Sequence, residues 1–446
     1  MKILYVDNYR NFTKAFIPLK QVNFLVGENS TGKTSILSLI YLLKSAHFEY
    51  SFDFRLDEIN VRFFDEIVTK GKKSFTVGIL NEIIKKGDRD QDQLVVKEES
   101  VDQESTLFTF INIEGIPTIK SIHILKDNID MEITFYNNSL KYKYSKITEK
   151  NIDINFLRKW ADNYYLQGKR SYITNELEGI DRNGLFFIVR KIKQDINRRI
   201  SETKKNKGEV FDFDYLTHSS KSVEWIGPIR AKAKYIYDSY SSLNRRNDRS
   251  ELMPYFLKKI LSKNNADKWS EPAIIESINR FGKESGLFDS LEIKSYSRGK
   301  ISPFEVNICF NNKSYKIANV GYGVSQILPI IVSALNDEYE LQIIQQPEVH
   351  LHPRAQAAFG EFIYNMWSEN RTFIVETHSD FIIDRFRICT KMHNKNNDSQ
   401  VLFFERTDAG NNVYNIDIDE NGNYSDNQPD AFRDFFITEE INLLGI

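Results

Sequence analysis

Three short groups of residues have the types and spacing to do chemistry on a phosphate chain. The first is Gly27-Glu28-Asn29-Ser30-Thr31-Gly32-Lys33-Thr34, which fits G-x-x-x-x-G-K-[ST] at every specified position. Such a turn binds phosphate: its glycines let backbone N–H groups approach the oxygens, and a following helix adds its dipole. Gly27, Asn29, Ser30, Thr31, Gly32, Lys33, Thr34 and Ser35 form the candidate cradle. Within it, Lys33 is expected to reach the β- and γ-phosphates and the Thr34 hydroxyl to hold Mg²⁺. The second group is Gln345-Gln346-Pro347-Glu348, and the third ends in His378. In P-loop ATPases the end of an apolar strand carries the acids that serve Mg²⁺ and the attacking water. Two glutamines stand there instead. Gln345, Gln346, Glu348 and His378 are the catalytic candidates, and Gln345 with Thr34 is the candidate metal position.

The elements that must position these residues are legible around them. Val22 to Val26 reads as a buried strand, and Ile36, Leu37, Leu39, Ile40 and Leu43 recur as one helix face. Leu341 to Ile344 and Thr372 to Val375 read as apolar strands, the second delivering Glu376-Thr377-His378-Ser379 at its end. That edge of a parallel sheet is where ligands bind, so His378 is expected to contact the γ-phosphate. Asn319 to Gln326 carries Gly321 and Gly323 ahead of an apolar run, a turn opening a helix with free N–H groups. Taken alone, most such turns are only helix starts. His350 and His352 are not read as a metal pair: no third ligand stands at metal spacing, and a His-Pro turn accounts for them. Glu224 to Arg230 looks like a strand ending in a turn, with Arg230 either facing a nucleotide or lying on the surface.

The formal charge of -2 gives no global basic signature for nucleic acid, although a local groove is open. Two cysteines, Cys309 and Cys389, suit a reducing compartment and argue against a disulfide scaffold. The 32 Phe and 22 Tyr argue against disorder. No stretch has signal-peptide shape and no apolar run approaches the ~20 residues of a membrane helix. A cytoplasmic protein with no membrane partner is expected.

Between about 50 and 215 the texture changes to short alternating strands such as Phe75–Leu80 and Met131–Phe135. Charge-dense stretches, Lys85 to Asp92 and Lys97 to Glu104, read as loops separating them. Residues 185–207 look helical and basic, with Arg190, Lys191, Lys193, Arg198, Arg199, Lys204, Lys205 and Lys207. A solvated face or a phosphate-contacting arm for DNA or RNA would both account for that. Residues 251–283 read as mostly helical. The changes of texture divide the chain into 1–50, 51–219 and 220–446.

In this order, Gly27 to Thr34, Gly321 to Gln326, Gln345 to Pro353 and Glu376 to Ser379 resemble the ABC-type ATPase heads of the OLD, RecF and SMC group. The likeness is strongest to compact ATPases of bacterial antiviral systems, AriA-like of PARIS or PtuA-like of Septu. It covers roughly residues 1–45 and 220–446, and the tail Ile416 to Phe436 is compatible with it. The resemblance implies an α/β fold: a P-loop sheet with flanking helices, a β-rich N-terminal part and a large insertion. On that likeness 1–50 and 220–446 are the two parts of an ATPase head and 51–219 is a mixed α/β insertion. It implies ATP and Mg²⁺ as cofactors and head-to-head homodimers, or oligomers of dimers. ATP would lie between one subunit's P-loop and the other's signature turn, where Gly321, Gly323 and Ser325 would stand.

Two departures from that pattern matter. Such heads usually carry an acid where Gln345 stands, and often Glu at Gln346; glutamine can hold water but cannot take a proton or neutralise Mg²⁺ charge. Either the chain is naturally slow, or a carboxylate has been exchanged for its amide so that ATP stays bound. The usual Ser-Gly-Gly is replaced by Gly321-Tyr322-Gly323.

The leading expectation is an anti-phage sensor or scaffold that controls a separate effector, such as a nuclease. Fewer than 70 residues follow His378, less than an ordinary nuclease domain needs, so a nuclease is expected on another chain. Asp417 and Asp419 share a strand face but read as a strand end rather than a metal pair. The alternative is a RecF-type repair ATPase loading on DNA through residues 185–207. A small-molecule kinase would leave the signature turn and His378 without a role.

Overall fold

The computed structural model describes residues 1–56, 59–60, 63–82, 104–126, 129–137, 139–147, 151–162, 173–179, 184–202, 222–238, 253–261, 271–297, 302–336, 339–367, 371–393 and 398–435. In chain order, β1 (Lys2–Asp7) and β2 (Ala15–Leu19) precede β3 (Val22–Gly27), and the turn after β3 opens α1 (Lys33–Leu43). α2 (Ala46–Ser51), β4 (Arg55–Leu56), β5 (Ile59–Asn60) and α3 (Phe64–Ile67) lead to β6 (Ser74–Asn81). Then come β7 (Ser105–Ile113), β8 (Ile116–Lys126), β9 (Ile129–Phe135), β10 (Ser139–Lys146), α4 (Ile154–Ala161), β11 (Ile173–Glu178) and α5 (Leu185–Glu202). Beyond them lie β12 (Ser222–Ile226), α6 (Met253–Leu261), α7 (Glu271–Ser285), β13 (Ser290–Ser295), β14 (Phe304–Phe310) and β15 (Lys313–Lys316). The chain continues through α8 (Tyr322–Ala334), β16 (Tyr339–Gln345), α9 (Pro353–Trp367), β17 (Thr372–Glu376), α10 (Asp380–His393), β18 (Ser399–Thr407) and β19 (Gly410–Asp417). This is the mixed α/β class that the sequence pattern predicts. The chain forms two compact units: Met1–Leu19 with Thr34–Ser220 and Glu405–Val413, and Lys20–Lys33 with Lys221–Phe404 and Tyr414–Ile446.

The first unit is built on an eight-stranded sheet, order β11-β10-β9-β8-β7-β6-β1-β2, with every neighbouring pair antiparallel. Its inner strands are buried over consecutive positions, as at Ile3–Val6 of β1 and Ser105–Phe108 of β7, whereas the edge strand β11 is largely exposed. Leu157 and Trp160 of α4 pack with Ile3, Tyr5, Leu80 and Leu125. Asp153 starts α4 by accepting a hydrogen bond from Phe156 N–H, an N-cap. An aromatic cluster joins Phe48, Phe54, Phe75, Phe108 and Phe110, in which Phe75 stacks on Phe110 at 5.2 Å. α5 buries Leu185, Ile188, Val189, Ile192 and Ile196 along one stripe. Asp195 is buried on that stripe and accepts from Tyr142 Oη (2.6 Å), Arg198 Nη2 (2.6 Å) and Arg199 Nε (2.7 Å). Two arginines of the basic stretch therefore bind an internal carboxylate. Lys204, Lys205 and Lys207 lie outside the described residues, as do Lys85 to Asp92 and all of the Lys97–Glu104 stretch but Glu104.

The second unit carries a six-stranded sheet, order β12-β16-β17-β3-β18-β19, in which β12, β16, β17, β3 and β18 run parallel. β3 is buried at all six positions, as a central parallel strand covered on both faces must be. Its one polar side chain, Asn23, is satisfied: Nδ2 donates to Lys20 O and Phe373 O, and Oδ1 accepts from Gln400 Nε2. Helices α8, α9 and α10 supply Ile327, Ile331, Phe359, Ile363, Ile382 and Phe386 to the core that Phe24 and Val375 share. A separate meander of β13, β14 and β15 completes the unit. Cys309 and Cys389 are free thiols, and burial pushes the Cys389 thiol up to about 11. Among the described residues no helix is long and apolar enough to cross a membrane.

Candidate functional site

Parallel pairing brings the C-terminal ends of β3, β16 and β17 to one edge of the sheet. In register, Glu376 stands beside Leu25 on one side and Gln345 on the other. β3 ends at Gly27 with φ +144°, where an added Cβ would lie 2.3 Å from Phe404 O. Only glycine fits that close approach to β18. The loop then turns through Ser30 in the left-handed region (φ +65°). Thr31 is buried and its hydroxyl donates to Glu28 O (2.8 Å). The Lys33 ammonium donates to Gly27 O and Glu28 O, both at 2.7 Å, so it braces the loop from inside. Burial lowers the Lys33 pKa, and the charges of Glu376 and then Glu28 oppose that shift. Glu28, Asn29 and Ser30 form the exposed crest. Thr34 and Ser35 follow Lys33 in α1 and belong to the first unit, where the Ser35 carbonyl accepts from Tyr9 Oη.

Gln345 is buried at the end of β16, and its Nε2 donates to Glu376 Oε2 (2.9 Å). Gln346 N–H donates to Glu376 O (2.8 Å), and Gln346 itself takes φ +43°, a strained value for a non-glycine residue. Arg230 holds that conformation. Its Nη2 donates to Gln345 O (2.7 Å) and Gln346 O (3.3 Å). At 3% exposure Arg230 is no surface residue; it lies beneath the exit of β16. Glu348 accepts from Thr377 Oγ1 (2.9 Å) through one oxygen and from His378 N–H (2.8 Å) through the other. That carboxylate fixes the turn after β17. His378 projects from the turn, exposed, with its ring 6.5 Å from Phe435. Partial desolvation, then the Lys33 cation, lowers the His378 pKa, and Glu348 and Glu376 offset part of the shift. The shift favours the uncharged imidazole, which carries one hydrogen-bond donor and one acceptor.

The segment from Gly321 opens α8. Gly321 caps α8 and a Cβ there would meet open space. A Cβ on Gly323 would lie 2.7 Å from His350 O, so this glycine serves close packing against the turn that follows β16. Ser325 is 5% exposed and its hydroxyl donates to Tyr322 O (2.8 Å) within the same helix. His350 (φ +66°) meets the Tyr322 ring edge-on at 4.8 Å. His352 caps α9, its Nδ1 accepting from Ala355 N–H, with Pro353 as the first helical residue. Asp419 builds a turn by accepting from Asn421 N–H and Asn423 N–H, and Asp417 pairs with Lys20 at 3.2 Å. Among the described residues no cluster of three or more His, Cys, Asp or Glu could hold a metal.

Glu376 is the site residue that sequence reasoning passed over. The sequence showed it as the polar end of an apolar strand, Thr372-Phe373-Ile374-Val375-Glu376, and as the first residue of Glu376-Thr377-His378-Ser379, with no role of its own. Buried to 5% exposure, it bonds Gln345 and its charge acts on both Lys33 and His378. The amide oxygen of Gln345 and the carboxylate of Glu376 are hard oxygen donors, the kind that suit Mg²⁺.

A family model described as "AAA ATPase domain" matches residues 1–383. No curated protein sequence matches the chain. Solved structures with similarity include the Smc head bound to the C-winged helix domain of ScpA, at 11% identity and a TM-score of 0.39, covering 93% of this chain and 96% of that one. The SMC head domain from Thermotoga maritima matches at 13% identity and a TM-score of 0.36, covering 94% of this chain and 100% of that one. An Smc head with an extended coiled coil, bound to the C-terminal domain of ScpA derived from Pyrococcus furiosus, matches at 11% identity and 0.38, covering 99% and 100%.

Proposed function

The chain belongs to the AAA ATPase domain family, and we propose that it is an ABC-type, Mg²⁺-dependent ATPase whose heads pair on ATP. It would serve as the sensor or scaffold of an anti-phage system and govern a separate effector. The observation that carries the nucleotide part is the convergence of Lys33, Gln345, Glu376 and His378 at one edge of a parallel sheet. Backbone N–H groups of the loop from Gly27 and the Lys33 ammonium would bind the β- and γ-phosphates. Thr34, next to Lys33 in the chain, and Gln345 would hold Mg²⁺, which when bound neutralises phosphate charge. His378 would hydrogen-bond the γ-phosphate. Glu348 keeps the His378 turn in place through its two hydrogen bonds. The defence role rests on the order of the motifs in the sequence.

Calorimetric titration with ATP and Mg²⁺, together with light scattering in its presence and absence, tests this reading. Saturable binding and a doubling of mass are expected; no ATP binding overturns it. The repair-type alternative rests on the exposed Arg190 and Lys191 of α5. Duplex DNA that stimulates hydrolysis, with binding that falls steeply in salt, would favour it.

A further inference from the structure

We infer that Glu376, at the end of β17, is the carboxylate that serves the nucleotide's Mg²⁺ in this chain, a task displaced by one strand from the position where Gln345 stands. The inference deepens the nucleotide reading above and rests on it.

The argument begins with what β16 offers. Its last residue is an amide and the next is also an amide, so neither supplies negative charge. Glu348, the only acid in the following turn, spends one oxygen on Thr377 Oγ1 and the other on His378 N–H. Recruiting it would release the turn that presents His378. β17 lies next to β16 in parallel register, with Glu376 directly opposite Gln345. A carboxylate on that strand end therefore reaches the same level of the sheet edge.

The hydrogen bond between them fixes the orientation of both. A carboxylate only accepts, so the NH₂ end of Gln345 must face Glu376 Oε2, as it does at 2.9 Å. The amide oxygen of Gln345 is thereby turned away from that contact. Had both residues been acids, two like charges about 3 Å apart would repel unless a cation or a proton lay between them. The amide converts that repulsion into a hydrogen bond and leaves one carboxylate.

The test uses the full chain and the variants Glu376→Gln, Glu376→Asp and Lys33→Ala, with folding checked by thermal unfolding. Nucleotide affinity is measured by calorimetry in Mg²⁺ and in EDTA, and binding of Mn²⁺ with a non-hydrolysable ATP analogue by electron paramagnetic resonance. The natural chain should bind ATP more tightly with Mg²⁺ than without. Glu376→Gln should keep the EDTA affinity and lose about 10–100-fold of the metal-dependent gain and of Mn²⁺ affinity. Glu376→Asp should fall between them. Lys33→Ala should lose binding under both conditions. A Glu376→Gln protein with undiminished Mg²⁺ gain and Mn²⁺ affinity overturns the assignment and leaves the nucleotide site standing. Should Glu376→Gln not fold, Glu376→Asp with unchanged Mn²⁺ affinity overturns it. A natural chain that binds no ATP overturns both the site and the assignment.

Discussion

At the scale of single residues, Lys33 does two jobs whose loss should be felt together. Its ammonium braces the Gly27 and Glu28 carbonyls and, in the proposed site, is the side-chain cation for the phosphates. Lys33→Ala should weaken ATP binding at least about 100-fold, read by calorimetry, because charge-assisted bonds to phosphate are among the strong ones. The same substitution should raise the His378 pKa, since the Lys33 cation holds it down. His378 is expected to titrate below the ordinary value of about 6.5, and in Lys33→Ala closer to it. An NMR titration of the imidazole reads both midpoints; an identical midpoint in the two proteins would separate His378 from the loop. The sign for stability follows. A lowered folded pKa means that protons favour the unfolded chain as pH falls through the unfolded value, an effect kept small here by the exposure of His378. Gln345→Glu would bring a second carboxylate against Glu376. That protein should melt lower than the natural chain in EDTA, recover in Mg²⁺, and release phosphate faster only in Mg²⁺. Steady-state release by the natural chain should stay below about one per second.

Among the elements, the turn after β16 stores strain and pays for it with Arg230, and α8 leans on that same turn through Gly323. Arg230→Met removes a buried charged donor from Gln345 O and Gln346 O and should cost about 2 kcal/mol in denaturant unfolding. The two glycines of the α8 start should behave oppositely. Gly321→Ala adds a methyl to open space at φ -54° and should leave stability unchanged. Gly323→Ala drives a methyl into His350 O and should cost about 1–3 kcal/mol. Equal effects would remove the packing account of Gly323. These outcomes also bear on how such a turn is read from sequence: the second glycine serves the protein interior, and Ser325 is bonded inside its own helix.

At the scale of the whole molecule, the proposal of ATP-held pairing predicts a change of mass on adding Mg²⁺ and ATP, abolished in Lys33→Ala. An unchanged mass at saturating ATP would leave the chain a monomeric binder and remove the head-to-head arrangement. The basic face of α5 makes a second whole-molecule test possible. Arg198 and Arg199 are tied to buried Asp195, while Arg190 and Lys191 are exposed. If α5 contacts nucleic acid, Arg190→Ala with Lys191→Ala should lower duplex affinity and flatten its salt dependence without changing the melting temperature. Asp195→Asn should act on stability instead. Its neighbours hold the Asp195 carboxyl below the usual range, so that contribution is present above the unfolded pKa and lost as pH falls through the folded one.

What the sequence determined by itself is whatever contiguous residues settle among themselves. The strand Val22–Gly27, the glycine turn and the helix from Lys33 all lie within 22 consecutive residues, and local geometry suffices to make them a strand, a tight turn and a helix start. The strand ends at Gln345 and Glu376 were legible for the same reason, as apolar runs with polar termini. The pairing of those ends was not. Gln345 and Glu376 are 31 positions apart and Arg230 and Gln345 are 115 apart. Which strand lies beside which, and in what register, is decided by burial of whole faces against distant helices. The sequence left Arg230 open between surface and site, named Glu348 among the catalytic candidates and placed Glu376 in a motif without a role. Tertiary pairing buries Arg230 under β16, spends Glu348 on the His378 turn and sets Glu376 against Gln345, because only the folded sheet brings those groups within hydrogen-bonding distance.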